Sequence, residues 1–147
     1  MKGTIMKTAW YRLSNGEVVS QEAIDINKEY FNTMLPPYDN IEKIEGKPAR
    51  FKVGLCQGRH EIEGVKEYIF PQNVNPLDTD WLESSANLVV HHLVKSARRP
   101  IEIELYVTGL TVALVSVINA CRLRPEVTLT LYHYDRESGS YYPQKVY

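Results

Sequence analysis

Residues Ile101 to Arg124 read IEIELYVTGLTVALVSVINACRLR, and the order of parts within them decides the fold. An alternating apolar strand stops at Thr108-Gly109-Leu110-Thr111 and passes directly into a helix of small and apolar residues. The first turn of such a helix presents unpaired backbone N–H groups and the positive end of its dipole, so this junction suits a phosphate or a carboxylate. Gly109 keeps side-chain bulk away from that backbone, while Thr108 and Thr111 add hydroxyls that bind a ligand or cap the helix. The same four residues also serve as an ordinary strand-to-helix connection, so both readings stand.

The motif stops short of a nucleotide fingerprint. A dinucleotide-binding turn needs spaced glycines, and a P-loop needs glycines followed by GK[ST]; neither occurs in the chain. A GxSxG nucleophile elbow is likewise missing, and the carboxylates are spread along polar segments without an obvious catalytic pair.

Outward from this segment, strand and helix patterns alternate. Thr8 to Leu13 is rich in β-forming residues and ends at the Ser14-Asn15-Gly16 turn, with a short return at Glu17-Val18-Val19. Ser20 caps a helix expected to run to Met34, where Pro36-Pro37 stops it. Residues 39–48 read as an exposed connection or a short strand. Arg50 to Cys56 alternates Phe51, Val53 and Leu55 with Arg50, Lys52 and Gly54, the pattern of a strand with one buried face. Lys66 to Phe70 is a further strand, followed by a loop from Pro71 to Pro76. Asp80 and Glu83 suggest a capping pair for a helix whose apolar stripe is read as Trp81, Ser85, Leu88, Val89, His92, Leu93 and Ser96. Val127 to Tyr134 alternates again, and Tyr141 to Tyr147, which holds Pro143, is expected to return as an edge strand.

At 147 residues the chain has the size of one domain, and residues 1–147 are read as such. The 17 Lys and Arg against 18 Asp and Glu give a net charge of -1, which leaves no field to gather long nucleic acid or an acidic membrane. No apolar run approaches the roughly 20 residues that span a bilayer. Cys56 and Cys121 lack CxxC spacing and the N-terminus lacks the apolar core of a signal peptide, so a soluble, reduced, cytoplasmic protein is expected.

Together these features predict an α/β fold: a Rossmann-like, open, mostly parallel sheet with helices on both faces and a C-terminal β-hairpin. Ligands of such sheets bind beyond the carboxyl ends of the strands. That rule gathers Ser14, Asn15, Gln57 to His60, Gln72, Asn73, Thr108 to Thr111 and His133 at one edge. The set is polar and poor in carboxylates, with Arg59 and His60 as its cationic or ionisable members.

The segment IELYVTGLTVALVSVINACR followed by VTLTLYHYDRESGSYYPQ resembles CRISPR-associated Rossmann-fold (CARF-like) proteins. Within that group it is most similar to the small stand-alone ring nucleases of type III systems, which bind and cleave cyclic oligoadenylate in antiviral defence. The first hundred residues match only in the general order of elements. The resemblance implies a homodimer with a cyclic oligonucleotide on its two-fold axis and no cofactor. It also implies metal-independent cleavage, in which a ribose 2′-hydroxyl attacks the adjacent phosphate in line and leaves a cyclic phosphate end. No catalytic residue is carried over by the match. From chemistry and expected position, Arg59 and His60 are the catalytic candidates, and Ser14, Asn15, Asn73, Thr108, Gly109, Leu110 and Thr111 the ligand-binding ones. The Arg and His pair that marks an appended RNA-degrading domain is absent from the chain.

Plainer roles are available for several residues. His92 on an apolar stripe reads as a hydrogen-bonded core histidine, and Cys121 as core. Cys56 with His60 supplies only two of the three or four ligands that zinc takes, so no metal is assigned. Tyr132, Tyr134, Tyr141 and Tyr142 suit adenine stacking, yet tyrosines on paired strands commonly stabilise one another. Apolar residues around most of the helix after Thr111 call for a covering surface, a second copy of the chain. Two other functions remain open: a non-catalytic cyclic-nucleotide sensor, and an interaction subunit that pairs through the sheet edge near Tyr147.

Overall fold

Alternation within Ile101 to Val107 places Ile101, Ile103 and Leu105 on one side of a strand and Glu102 and Glu104 on the other, and this division runs through the sheet. The computed structural model describes residues 9–31, 35–58 and 61–147. A five-stranded sheet is built from β4 (Ala49–Cys56), β5 (Tyr68–Phe70), β6 (Ile101–Tyr106), β7 (Val127–Asp135) and β8 (Ser140–Lys145), in the order β5-β4-β6-β7-β8. All neighbours are parallel except β7 and β8, which form the expected C-terminal hairpin.

Register aligns Phe51, Ile103 and Leu129 in one row and Val53, Leu105 and Leu131 in the next. These rows form the core with α2 (Thr79–Ala97) and α3 (Thr111–Arg122). The alternate rows join Arg50 to Glu102 and Thr128, Lys52 to Glu104 and Thr130, and Gly54 to Tyr106 and Tyr132. A parallel strand covered on both faces reads as a continuous apolar run, so these polar rows mark a face without a crossover helix among the described residues.

Chain direction explains which face is which. The steps β5 to β6 and β6 to β7 move the same way across the sheet, so right-handed crossovers put α2 and α3 on the same side. Asn119 of α3 donates to Glu83 of α2 at 3.2 Å across their contact. The step β4 to β5 moves the opposite way, which carries its connection over the other face. The open, mostly parallel α/β sheet is therefore present, while the detail of helices on both faces is narrowed: both crossover helices share one.

Within α2 the buried residues are Leu82, Ala86, Val90, Leu93 and Val94. The expected stripe is thus rotated; Trp81 is 43% and Leu88 68% exposed, and His92 faces solvent instead of the core. The cap also lies earlier than Asp80, since the Asp78 carboxylate accepts from the Trp81 N–H at 3.1 Å. Packing of α2 against α3 accounts for much of the apolar perimeter of α3, leaving Val115 48% exposed.

A separate antiparallel sheet holds β1 (Trp10–Arg12), β2 (Val18–Ser20) and β3 (Glu42–Lys43), in the order β2-β1-β3. Ser20 accepts from the Ala23 N–H at 3.3 Å and so caps α1 (Gln21–Phe31) as its sequence suggests; the expected extension to Met34 lies outside the described residues. Two arginines attach this unit to the end of α2. Arg12 donates twice to the Arg98 carbonyl, at 2.8 and 3.1 Å, and Arg99 donates to the carbonyls of Glu45 and Lys47.

Candidate functional site at the carboxyl edge of the sheet

Strand order reverses at β4, which has β5 on one side and β6 on the other. The connections leaving β4 and β6 depart to opposite faces, which opens a crevice between their carboxyl ends where open α/β sheets bind ligands. Residues 57–58 form one lip and Thr108 to Leu110 the other.

Thr108 is 2% exposed, and its hydroxyl donates to the Cys56 carbonyl at 3.0 Å and accepts from the Cys56 N–H at 3.2 Å. That side chain fastens the two lips and is occupied in doing so. Gly109 is exposed and has φ of 92°, a backbone state that favours glycine. Leu110 is the N-cap residue of α3, with no side-chain hydrogen bond to the first turn, and its carbonyl accepts the Leu114 N–H at 3.1 Å. Thr111 is exposed at the first position of the helix. The junction therefore offers backbone donors and one accessible hydroxyl.

On the opposing lip, Gly58 has φ of 80°, and a Cβ there would approach the Gln72 side chain to 2.7 Å. This close contact, which no sequence motif marks, brings the loop after β5 against the crevice. Asn73 follows in that loop and is exposed. Arg59 and His60, the catalytic candidates, lie outside the described residues. His133 sits near Val107, whose N–H donates to the Tyr132 carbonyl at 3.0 Å, and its Nε2 is 2.7 Å from the Gln144 side-chain oxygen.

Ser14 and Asn15 lie elsewhere. Ser14 donates through both its hydroxyl and its N–H to the Pro37 carbonyl, and Asn15 accepts from the Glu17 N–H. Their neighbours Gly16 and Glu17 border a small cleft with His91, Lys95, Arg124 and Glu126, at the end of α2 and the entry to β7. That is the amino edge of the main sheet, so the structure does not bring Ser14 and Asn15 to Thr108 and Gly109. The physical reason is that β1 belongs to the small sheet, to which the carboxyl-edge rule of the large one does not extend.

The tyrosines contact one another. Tyr106 stacks on Tyr132 with centroids 4.8 Å apart, and Tyr141 meets both Tyr106 and Tyr134 edge-on, at 4.9 and 5.3 Å. Both cysteines are buried, and burial pushes the Cys121 thiol up to about 12. Among the described residues no three His, Cys, Asp or Glu side chains gather as a metal site, and no helix is long and apolar enough to cross a membrane.

No family model, no curated protein and no solved structure matches this chain.

Proposed function

We propose that the chain binds and cleaves a cyclic oligoadenylate, as a cytoplasmic homodimer acting in type III CRISPR defence, with ligand phosphates seated at Gly109 to Thr111. The observation that carries the reading is the uncapped first turn of α3, which opens behind exposed Gly109 at the reversal of strand order. Backbone N–H groups there suit a phosphate oxygen, and a two-fold pair of such junctions suits a ring of identical nucleotides. Cleavage follows from holding a ribose 2′-hydroxyl in line with the neighbouring phosphate, a positioning task, with Arg59 or His60 donating to the charge that develops.

A second reading, a sensor that binds without cleaving, is favoured by the engagement of the Thr108 hydroxyl with Cys56. What remains accessible at the junction is suited to holding an anion. Incubation of the pure protein with labelled cyclic tetra-adenylate and hexa-adenylate in EDTA separates the two. Cyclic-phosphate or linear products support the nuclease, intact ligand retained on the protein supports the sensor, and absence of binding overturns both.

A further inference from the structure

Opposite its buried residues, α2 turns a stripe of side chains to solvent. Trp81, Ser84, Leu88, His92 and Lys95 recur at three and four residues along the helix, and all are exposed. Leu77 lies one step further, in the turn before the helix, and is 87% exposed. Trp81 tilts against Phe70, with ring centroids 6.2 Å apart, and Leu88 stands at mid-helix with nothing buried around it. Single exposed leucines are ordinary on a protein surface, but an apolar set aligned on one helix face is the pattern that another helix covers.

Two properties of the stripe select a second copy of this chain. Its ends differ in charge: Asp78 and Asp80 stand at the start of α2, and Lys95 and Arg98 at its end, with His91 and His92 beside them. Glu83 is turned away toward α3, where Asn119 donates to it. A copy laid antiparallel puts the acidic start of each helix beside the basic end of the other and opposes the two helix dipoles, whereas a parallel copy brings like charges together. Ser84 and the half-buried Ser85 also separate Trp81 from Leu88. Crossing at these small residues lets the backbones approach, and it sets Trp81 of each copy against Leu88 of the other, with Leu77 near His92.

We propose that α2 is a self-pairing surface: two copies of the chain join antiparallel along Leu77, Trp81, Leu88 and His92, about a two-fold axis at Ser84 and Ser85. The contact is isologous, each copy offering the same stripe to the other. One helix face is smaller than the roughly 800 Å² per partner of a standard interface, so the pairing is weak and reversible. It goes beyond the ligand reading and does not rest on it. Because α2 connects β5 to its parallel companions, it leads from the carboxyl edge of the sheet back to the amino edge. Antiparallel α2 helices therefore place the two Gly109 junctions at opposite ends of the pair, where they enclose no ligand between them.

Sedimentation velocity of the full chain without added nucleotide, from about 10 μM to about 1 mM, should show monomer passing to dimer, with the association weakened several-fold by high salt. Leu88→Glu buries a carboxylate against the Trp81 ring and should hold the chain monomeric; near-UV circular dichroism verifies that this exposed substitution leaves the fold intact. Single cysteines read the direction of the pair, since native Cys56 and Cys121 are buried. Ser84→Cys, beside the axis, should give a disulfide-linked dimer on mild oxidation. His92→Cys should not, because the two copies of that position stand roughly 20 Å apart in the antiparallel pair, although they would be adjacent in a parallel one. A chain that stays monomeric throughout, a dimer that Leu88→Glu leaves intact, or cross-linking as fast through His92→Cys as through Ser84→Cys would overturn the proposal. So would association only on addition of cyclic oligoadenylate, a result that leaves the ligand reading standing.

Discussion

The Thr108 hydroxyl and the Cys56 backbone exchange two hydrogen bonds, at 3.0 and 3.2 Å, just beyond the last paired rung of β4 and β6. One side chain thus replaces the rung that the diverging connections remove. Thr108→Val keeps the volume but removes both hydrogen bonds, which costs about 1–3 kcal/mol. Thr108→Ser restores the hydroxyl and should recover most of the loss. Urea unfolding of the two variants measures the difference.

Gly109 at φ of 92° separates two effects that a single substitution confounds. Gly109→Val forces a β-branched residue into a left-handed state and is expected to cost roughly 1–3 kcal/mol, so lost binding in that variant is not by itself evidence of a ligand contact. Thr111→Val is the cleaner change, because Thr111 is exposed and makes no cap. It should leave the melting temperature close to wild type and weaken cyclic oligoadenylate binding severalfold in calorimetry.

Burial raises the carboxyl of Glu126 above its ordinary value, opposed by its own backbone N–H and by Arg124. The folded chain then holds this proton more tightly than the unfolded chain does. Its contribution to stability is greatest below the unfolded pKa, falls as pH rises through the folded pKa, and is constant above it. Glu126→Gln abolishes that dependence. Denaturant unfolding from pH 4 to pH 8 should show the wild type losing stability relative to the variant as pH rises; an unchanged difference would refute the assignment.

Gly54 leaves room for the Tyr68 ring, which an added Cβ would overlap. Gly54→Ala is expected to destabilise by about 1–3 kcal/mol through overpacking. In a double-mutant cycle with Tyr68→Ala the two changes should be strongly non-additive, since the smaller residue removes the clash.

Tyr132 directs its carbonyl toward β6, so its partner across the hairpin, Pro143, turns its backbone to the outer edge. Proline there removes a donor from the row that another strand would use. Pairing through this edge is thereby disfavoured, which counts against the interaction-subunit reading. Pro143→Val completes the row, and increased self-association in light scattering is the expected result.

Much of the main sheet is legible in the sequence because its strands alternate so regularly. The polar rows of Arg50 with Glu102 and Lys52 with Glu104 lie on the face away from α2 and α3, although the sequence pattern is read as having helices on both faces. The orientation of α2 is harder to read: Trp81, Leu88 and Val89 compete with Leu82, Val90 and Val94, and the choice depends on small Ala86 meeting the sheet. At the site, the Thr108–Gly109 junction is visible as a motif, but the partner of Thr108 is backbone 52 residues away and carries no side-chain signature. Ser14 and Asn15 are misplaced for a related reason, since membership of a separate small sheet is a property of strand pairing and not of local composition.

Placing both crossover helices on one side also bears on how such a sheet changes over generations. Alternate positions of β4, β6 and β7, among them Lys52 and Thr130, are released from the dry interior that Val53, Leu105 and Leu131 must fill. Drift in charge or ring content along those positions leaves the interior's geometry intact. One lineage can therefore change the helix-free side while natural selection for folding acts on the other, and the two histories need not run in step.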